Sequence, residues 1–386
     1  MLACQRHHFR LPPEVAYLNC AYMSPLMERV AAAGRTGVDR KFRPDLLTPN
    51  DFFDEVHRVK KLFARLVETD DPERSALLPS VSYGLAIAAN NTPIAAGQKV
   101  LLLAEQFPSN YYCWERVTKE KGAELELISA PSSDAQRAAK WNQNLLAAID
   151  QRTAAVSIGH VHWADGSLFD LPAIRARTRE VGALLIIDGT QSIGALPFSV
   201  RELGVDALVC GTYKWLFGPY GMALAYFGPA FDGGRPLEEN WINRRDSHHF
   251  ERLVPYTDHY LPAAGRYSVG QQSNFITVPM AISSLQQLLE WKVSCIQEYA
   301  AQLQAPYLER LQALGARIEA PEARSAHLFG VRLRSDQVDA EKLGAARKKH
   351  GVHLSQRGDS IRVSVSVFNE AQDFERLLRC FEAAQH

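Results

Sequence analysis

The chain has 386 residues, with 43 basic and 43 acidic side chains, so its formal net charge is zero. This length supports two domains with a sizeable core, and the balanced charge gives no indication of a nucleic-acid partner. The hydrophobic content of 46% is typical of a globular protein, and no apolar run is long enough to cross a membrane.

The six cysteines are scattered and form no CxxC pair. This pattern indicates reduced thiols rather than a disulfide framework or a zinc site, so we expect no metal. The first ten residues lack the apolar segment of a signal peptide. The sequence therefore predicts a cytoplasmic protein.

A short strand leading into a Ser-Pro turn is predicted over residues 17–25, and helices are predicted over 28–40 and 52–67. Residues 75–79 then lead to Ser80, Val81, Ser82 and Gly84, which open an apolar helix. Free N–H groups and the helix dipole at such a start attract an anion, so this is a candidate phosphate cradle. Serine is also a common helix N-cap, which is the alternative interpretation.

Strands and helices alternate from residue 98 to residue 227, which is the signature of βαβ units and a mostly parallel sheet. We predict strands over 99–103, 124–128, 154–158, 183–188, 207–210 and 221–227. We predict helices that end near 121, span 141–149 and span 171–181. No strand opens into a GxGxxG turn, which argues against a nicotinamide dehydrogenase.

Two of the predicted strands end on side chains that suggest a particular chemistry. One closes on Asp188, and the next is followed by Lys214. Because open α/β sheets bind ligands at the carboxyl ends of their strands, we expect these two side chains to face one site. A carboxylate can keep a pyridine nitrogen protonated while an amine forms a Schiff base with an aldehyde, so the pair predicts pyridoxal phosphate as cofactor.

Residues 228–272 lack clear periodicity, which indicates a functional loop or an assembly surface. A helical region over residues 282–314 then leads to predicted strands over 326–333 and 361–367 and helices over 340–349 and 371–381. We therefore divide the chain into an N-terminal arm with a large domain, residues 1–292, and a small α+β domain, residues 293–386.

The segments Asp188-Gly-Thr-Gln191 and Gly211-Thr-Tyr-Lys214-Trp-Leu-Phe-Gly-Pro219 resemble those of the class V aminotransferase family. The resemblance extends from residue 17 to residue 364. It implies an α/β fold of fold-type I, with a three-layer αβα large domain that binds pyridoxal phosphate. The family also holds cysteine desulfurases, kynureninases and epimerase-like enzymes.

The resemblance implies roles for matching residues. Lys214 would hold the cofactor and move the proton at Cα, Asp188 would pair with the ring nitrogen, and Gln191 would bond the ring's phenolic oxygen. The phosphate would be held by three further residues: Val81, Ser82 and Thr212. Gln271 would reach the cofactor of a neighbouring subunit, which implies a homodimer with shared active sites.

On the substrate side, the resemblance places Phe107 on the cofactor ring and Arg362 on the carboxylate of an amino acid substrate. Tyr22 and His160 are further candidates for contact with the substrate, although His160 and His162 are equally consistent with packed histidines at a strand end. Trp163 stands where many relatives have asparagine.

The reaction itself stays open at this point. Desulfurases carry a histidine where Phe107 stands and a cysteine before the arginine, whereas residues 350–361 contain no cysteine. We expect an aminotransferase, with an epimerase or a β-elimination lyase as the alternative. Epimerisation requires a second acid–base on the face opposite Lys214. A catalytically silent pyridoxal-phosphate fold used as a binding or regulatory module is the remaining hypothesis.

Overall fold

The computed structural model describes residues 2–131 and 136–386. Met1 and residues 132–135, which the sequence assigns to the large domain, lie outside that part of the chain. The strands are β1 (Ala16–Tyr17), β2 (Ser75–Leu78), β3 (Lys99–Leu103), β4 (Glu124–Ile128), β5 (Thr153–Gly159), β6 (Leu184–Asp188), β7 (Ala207–Gly211), β8 (Ala223–Phe227), β9 (Ala316–Arg317), β10 (Leu328–Leu333), β11 (Val352–His353), β12 (Ser355–Arg357) and β13 (Ser360–Ser364).

The α-helices over the same residues are α1 (Glu28–Asp39), α2 (Asp54–Leu66), α3 (Val81–Asn91), α4 (Ser109–Lys121), α5 (Arg137–Ala148), α6 (Leu171–Val181), α7 (Val200–Leu203), α8 (Thr277–Trp291), α9 (Val293–Ala313), α10 (Ala340–Lys349) and α11 (Ala371–Glu382). Among the described residues, no helix is both long enough and apolar enough to span a membrane.

Seven strands form the large sheet in the order β2-β8-β7-β6-β5-β3-β4. The pairs from β7 to β4 are parallel, whereas β8 runs antiparallel to both of its neighbours. Side chains of β3 alternate between two hydrophobic clusters: Val100 and Leu102 share one with residues of α3 and α4, and Leu101 and Leu103 share the other with residues of α5 and α6. Both faces are therefore covered by helices, which confirms the expected three-layer α/β fold.

The small sheet is antiparallel, in the order β12-β13-β10-β9. One face lies against α9, α10 and α11 in a separate hydrophobic cluster that includes Ile361 and Val363. The predicted strand over 361–367 is shorter in the structure, because a turn begins after Ser364: Asn369 Oδ1 accepts from the backbone N–H of Ser366 at 2.9 Å.

The helical region between the sheets is broken at Lys292, which has a φ of 65°. This residue separates α8 from α9. The sequence groups the N-terminal arm with the large domain. In the structure, however, β1 pairs in parallel with β11, and Leu18 lies in the hydrophobic cluster of the small sheet. The boundary at residues 292 and 293 stays a prediction.

Candidate active site

A pocket lies where the carboxyl ends of β3, β5, β6 and β7 meet the start of α3. Its lining is contributed by Val81, Gln106, Phe107, Asn110, Gly159, Val161, His162, Trp163, Asp188, Thr190, Gln191, Tyr213 and Lys214. Seven residues singled out from the sequence meet here: Val81, Phe107, His162, Trp163, Asp188, Gln191 and Lys214.

Asp188 is the last residue of β6, opposite Gly159 in the register with β5 and Val209 in the register with β7. Its Oδ1 accepts the backbone N–H of Thr190 at 3.0 Å. Burial raises the pKa of Asp188, and the hydrogen bonds from Thr190 and the charge of Lys214 oppose this rise. A cationic partner would stabilise the ionised carboxylate at this position.

Lys214 is only 7% exposed, and among the described residues its Nζ makes no hydrogen bond or salt bridge. The amine lies 5.7 Å from the ring centroid of Phe107 and 5.4 Å from that of Tyr213. Burial, followed by the positive charge of Arg362, lowers the pKa of Lys214 to about 8. A larger share of this amine is therefore neutral near physiological pH than of an exposed lysine.

The turn after β7 presents Lys214 to the pocket. Gly218 donates its backbone N–H to the carbonyl oxygen of Thr212 at 2.8 Å, and Phe217 donates to that of Lys214 at 3.2 Å. The Thr212 hydroxyl lies within hydrogen-bonding distance of the carbonyl oxygens of Pro219 and Met222, at 2.5 and 2.9 Å. Thr212 thus stabilises the turn and does not line the pocket.

Gln191 is held by a buried network. Its side-chain amide donates to the carbonyl oxygen of Ala21 at 3.1 Å, and its Oε1 accepts from Trp215 Nε1 at 2.9 Å. His327 Nε2 lies 2.7 Å from the backbone oxygen of Gln191. Because the amide nitrogen carries two hydrogens, one remains for a ligand in the pocket. His327 was not predicted, because this residue immediately before β10 meets Gln191 through a tertiary contact between segments 136 residues apart.

Arg362, on β13, lies beside the pocket and is 1% exposed. Its Nη1 donates to the carbonyl oxygen of Trp163 at 2.7 Å, whereas its buried Nε and Nη2 have no partner among the described residues. Burial, with the nearby charge of Arg357, lowers the pKa of Arg362 to about 10. Unpaired buried donors are costly, so the fork of this arginine is suited to an anion that is not part of the chain.

Other predicted residues lie away from the pocket lining. Ser82 is beside Val81 at the start of α3, and its hydroxyl lies 2.8 Å from that of Ser109. His160 contacts the ring of Phe198, with 5.8 Å between ring centroids. Tyr22 is 56% exposed, and Gln271 is exposed with a φ of 59°.

His162 and Trp163 do line the pocket, where they have structural contacts. The two ring nitrogens of His162 face Asp165 Oδ1 at 3.0 Å and the carbonyl oxygen of Glu105 at 3.1 Å. Trp163 Nε1 donates to the same carbonyl oxygen at 2.7 Å, and its ring meets Phe107 edge-on at 5.4 Å. Among the described residues, no group of three or more His, Cys, Asp or Glu side chains is arranged to hold a metal.

The donor set of this pocket fits pyridoxal phosphate. A carboxylate and an unpaired amine face the same space, the amide of Gln191 has a free donor, and the N-terminus of α3 lies at the edge beside Val81. Backbone N–H groups and the dipole at a helix start suit a phosphate.

The chain belongs to the class V aminotransferase family, because the family model described as Aminotransferase class-V matches residues 48–377. Enzymes of this family use pyridoxal phosphate, and the chain is therefore a pyridoxal-phosphate-dependent enzyme.

Individual relatives differ in the activity that their names state. The chain is 26% identical to the uncharacterized aminotransferase YcbU of Bacillus subtilis, over 82% of this chain and 80% of that protein. It is 25% identical to isopenicillin N epimerase of Amycolatopsis lactamdurans, over 62% of this chain and 61% of that protein.

The fold is shared with solved structures of lower sequence identity. One is a lysine-to-alanine variant of the cystine C-S lyase C-DES, with glycine covalently linked to its pyridoxal phosphate. It superposes with a TM-score of 0.82 at 17% identity, over 98% of this chain and 99% of that chain.

Proposed function

We propose that this enzyme is an aminotransferase that removes the amino group of an amino acid and passes it to an oxo acid. The observation that carries the proposal is the amine of Lys214, which has no hydrogen-bond partner among the described residues, in a pocket that contains Asp188 and lies beside the unpaired Nε and Nη2 of Arg362. Bound pyridoxal phosphate withdraws electrons from the bonds at Cα of the substrate, which makes the Cα proton removable.

In this proposal the residues of the site have distinct roles. The carboxylate of Asp188 holds the ring nitrogen of the cofactor in its protonated form, and Gln191 donates to the ring oxygen. Phe107 covers the ring, and the N–H groups of Val81 and Ser82 hold the phosphate. Lys214 would hold the cofactor through its neutral amine, and the same amine would take and return the Cα proton, which its lowered pKa favours.

Arg362 has the task of orienting the substrate. Its Nη1 is fixed on Trp163, so Nε and Nη2 remain to bind the α-carboxylate. A carboxylate held on two parallel donors has a defined orientation, which places the Cα–H bond toward Lys214.

Epimerisation is the second candidate, and it requires an acid–base group on the face opposite Lys214. Among the described residues, His160 and Tyr22 do not line the pocket, and both ring nitrogens of His162 have partners. These contacts leave Lys214 as the group best placed to move a proton, which supports transamination.

The burial of Cys20, the cysteine beside the site, argues against desulfurase chemistry. Cys20 is the cysteine whose position bears on the site, because its Sγ lies 4.0 Å from the carbonyl oxygen of Lys214. It is fully buried, and burial raises the pKa of its thiol to about 12. A protonated, enclosed thiol is a poor nucleophile.

We propose that the enzyme acts as a homodimer in the cytoplasm. Gln271 is exposed and outside its own pocket, as expected of a residue that serves the cofactor of a second subunit. Tyr220 is 72% exposed beside Tyr213 of the pocket, and a second copy would cover such an aromatic surface. The scattered cysteines fit a reducing compartment.

The test is to incubate the enzyme and its cofactor with a panel of L- and D-amino acids, without and with an oxo acid acceptor. Transamination predicts one oxo acid released per site without an acceptor and continuous turnover with one. Inversion of configuration with exchange of the Cα proton, and no oxo acid, would instead identify an epimerase. Release of ammonia and pyruvate or sulfide would identify a lyase.

A further inference from the structure

A second arginine lies on the face of the small sheet that carries Arg362. In the antiparallel register Ser355 of β12 is opposite Arg362 of β13, and Arg357 follows Ser355 by two residues. Side chains that are opposite each other or two residues apart share one face of a sheet, so Arg357 and Arg362 are diagonal neighbours. The alternate residues Ile361 and Val363 lie in the hydrophobic cluster on the other face.

Trp163 connects the two arginines to the active-site pocket. Its carbonyl oxygen accepts from Arg362 at 2.7 Å, and the guanidinium of Arg357 lies 5.6 Å from the centroid of its ring. Trp163 lines the active-site pocket on one side and a second pocket on the other, and Arg357 lines that second pocket. The second pocket therefore extends the active site past the indole ring.

The other charged side chains that line the second pocket take part in salt bridges. Arg332 pairs with Asp165 at 3.0 Å and with Asp359 at 3.1 Å, and Glu105 lies 3.7 Å from Arg137. Arg357 donates to the carbonyl oxygen of Gln356 at 2.8 Å and has no carboxylate within salt-bridge distance among the described residues. Arg357 is therefore the charged residue of this pocket that has no salt-bridge partner among the described residues, and its charge adds to burial in lowering the pKa of both Lys214 and Arg362.

We infer that Arg357 binds a second anionic group of the substrate, so that the enzyme prefers dicarboxylic amino acids. The α-carboxylate occupies the fork of Arg362, and the side-chain carboxylate passes Trp163 to reach Arg357. This inference rests on the proposed function, because it requires an amino acid at the site. A neutral side chain would leave the guanidinium of Arg357 without a salt-bridge partner among the described residues.

The first measurement is calorimetric binding of glutarate and butyrate to the wild-type holoenzyme, which depends on no chemical step. We expect glutarate to bind about tenfold more tightly than butyrate, a difference typical of one added charge-assisted hydrogen bond. Equal affinities would overturn the inference, whatever reaction the enzyme performs.

The second measurement compares kcat/KM for glutamate with glutamine and for aspartate with asparagine. In the wild type we expect kcat/KM for the acid of the preferred chain length to exceed kcat/KM for its amide by about tenfold or more, and Arg357→Gln should reduce this ratio to about one. Arg379→Gln is the matched control, because Arg379 is exposed on α11, which packs against the other face of the small sheet.

The outcomes separate the two proposals. If neutral amino acids are transaminated as well as acidic ones, only the role of Arg357 fails. If no amino acid transfers its amino group yet glutarate still binds tightly through Arg357, the aminotransferase reaction fails and the dianion site stands.

Discussion

Arg362 donates through Nη1 to the carbonyl oxygen of Trp163 at 2.7 Å, and this bond joins the small sheet to the loop after β5. It leaves Nε and Nη2 of the same guanidinium buried and unpaired among the described residues. One side of the arginine is therefore fixed by the fold, and the other side is available to a ligand.

We predict that Arg362→Lys weakens the binding of amino acid substrates strongly. Lysine retains the positive charge but cannot present two parallel donors, so KM should rise by about 100-fold with a smaller change in kcat. Steady-state kinetics with the best substrate measures both. The cofactor's own absorption band should be unchanged, and an unchanged KM would remove Arg362 from the substrate site.

Lys214→Ala should lower turnover by at least about 10³-fold, because the variant lacks the group that moves the Cα proton. The contacts of Asp188, Gln191 and the start of α3 remain, so the variant should still retain pyridoxal phosphate after gel filtration. Adding a small primary amine should restore part of the activity, since it can occupy the vacated space. Full activity without added amine would refute the role of Lys214 in moving the Cα proton.

The pKa of Lys214 predicts how cofactor attachment depends on pH. Only the neutral amine reacts, and burial with the charge of Arg362 lowers its pKa to about 8. Below that pH the neutral fraction falls about tenfold per pH unit, and above it the rate should level off. Stopped-flow absorption of cofactor-free enzyme mixed with pyridoxal phosphate gives this profile.

Two variants should displace that profile in opposite directions. Arg362→Gln removes a positive charge that disfavours protonation of Lys214, so the plateau should begin at a higher pH. Asp188→Asn removes a negative charge that favours protonation, so the plateau should begin at a lower pH. Shifts in the same direction, or none, would show that neither charge acts on the amine.

Gly330→Ala should disturb the contact between the two sheets. A Cβ at this position would lie 2.9 Å from the backbone of Asp165 and 2.5 Å from Ser360 Oγ. We expect a loss of about 1–3 kcal/mol in the free energy of unfolding, together with weaker substrate binding because Arg362 and Trp163 move apart.

Gly344→Ala is the matched control for this variant. Gly344 lies inside α10, and a Cβ there meets no atom within 4 Å. Because alanine favours a helix over glycine, we expect this change to be neutral or stabilising by about 1 kcal/mol. Denaturant unfolding compares the two variants, and equal effects would contradict the packing argument.

The strands that carry the catalytic residues could be predicted because their signals are local. The buried runs of β6 and β7 end at Asp188 and Gly211 within one residue of the predicted bounds, and the segments that follow them are distinctive. The fold class follows from the alternation of such runs with amphipathic helices.

Arg357 could not be predicted as a partner of Arg362, because their relation depends on the pairing of two short strands. The approach of Gly330 to Asp165 and the position of His327 behind Gln191 are likewise tertiary contacts between distant segments. His160 and His162 have similar local sequence, and only the structure shows that one packs on Phe198 while the other lines the pocket.

The pairing of β1 with β11 has a consequence for how the chain is made. The Ser364 hydroxyl donates to the carbonyl oxygen of Leu18, a residue 346 positions earlier. During synthesis the arm emerges from the ribosome before the strands of the large sheet, whereas its strand partner β11 emerges after them. The large sheet can therefore begin to assemble co-translationally, but the arm reaches its native position only once β11 has been made. Completion of the substrate-binding face thus follows formation of the large sheet.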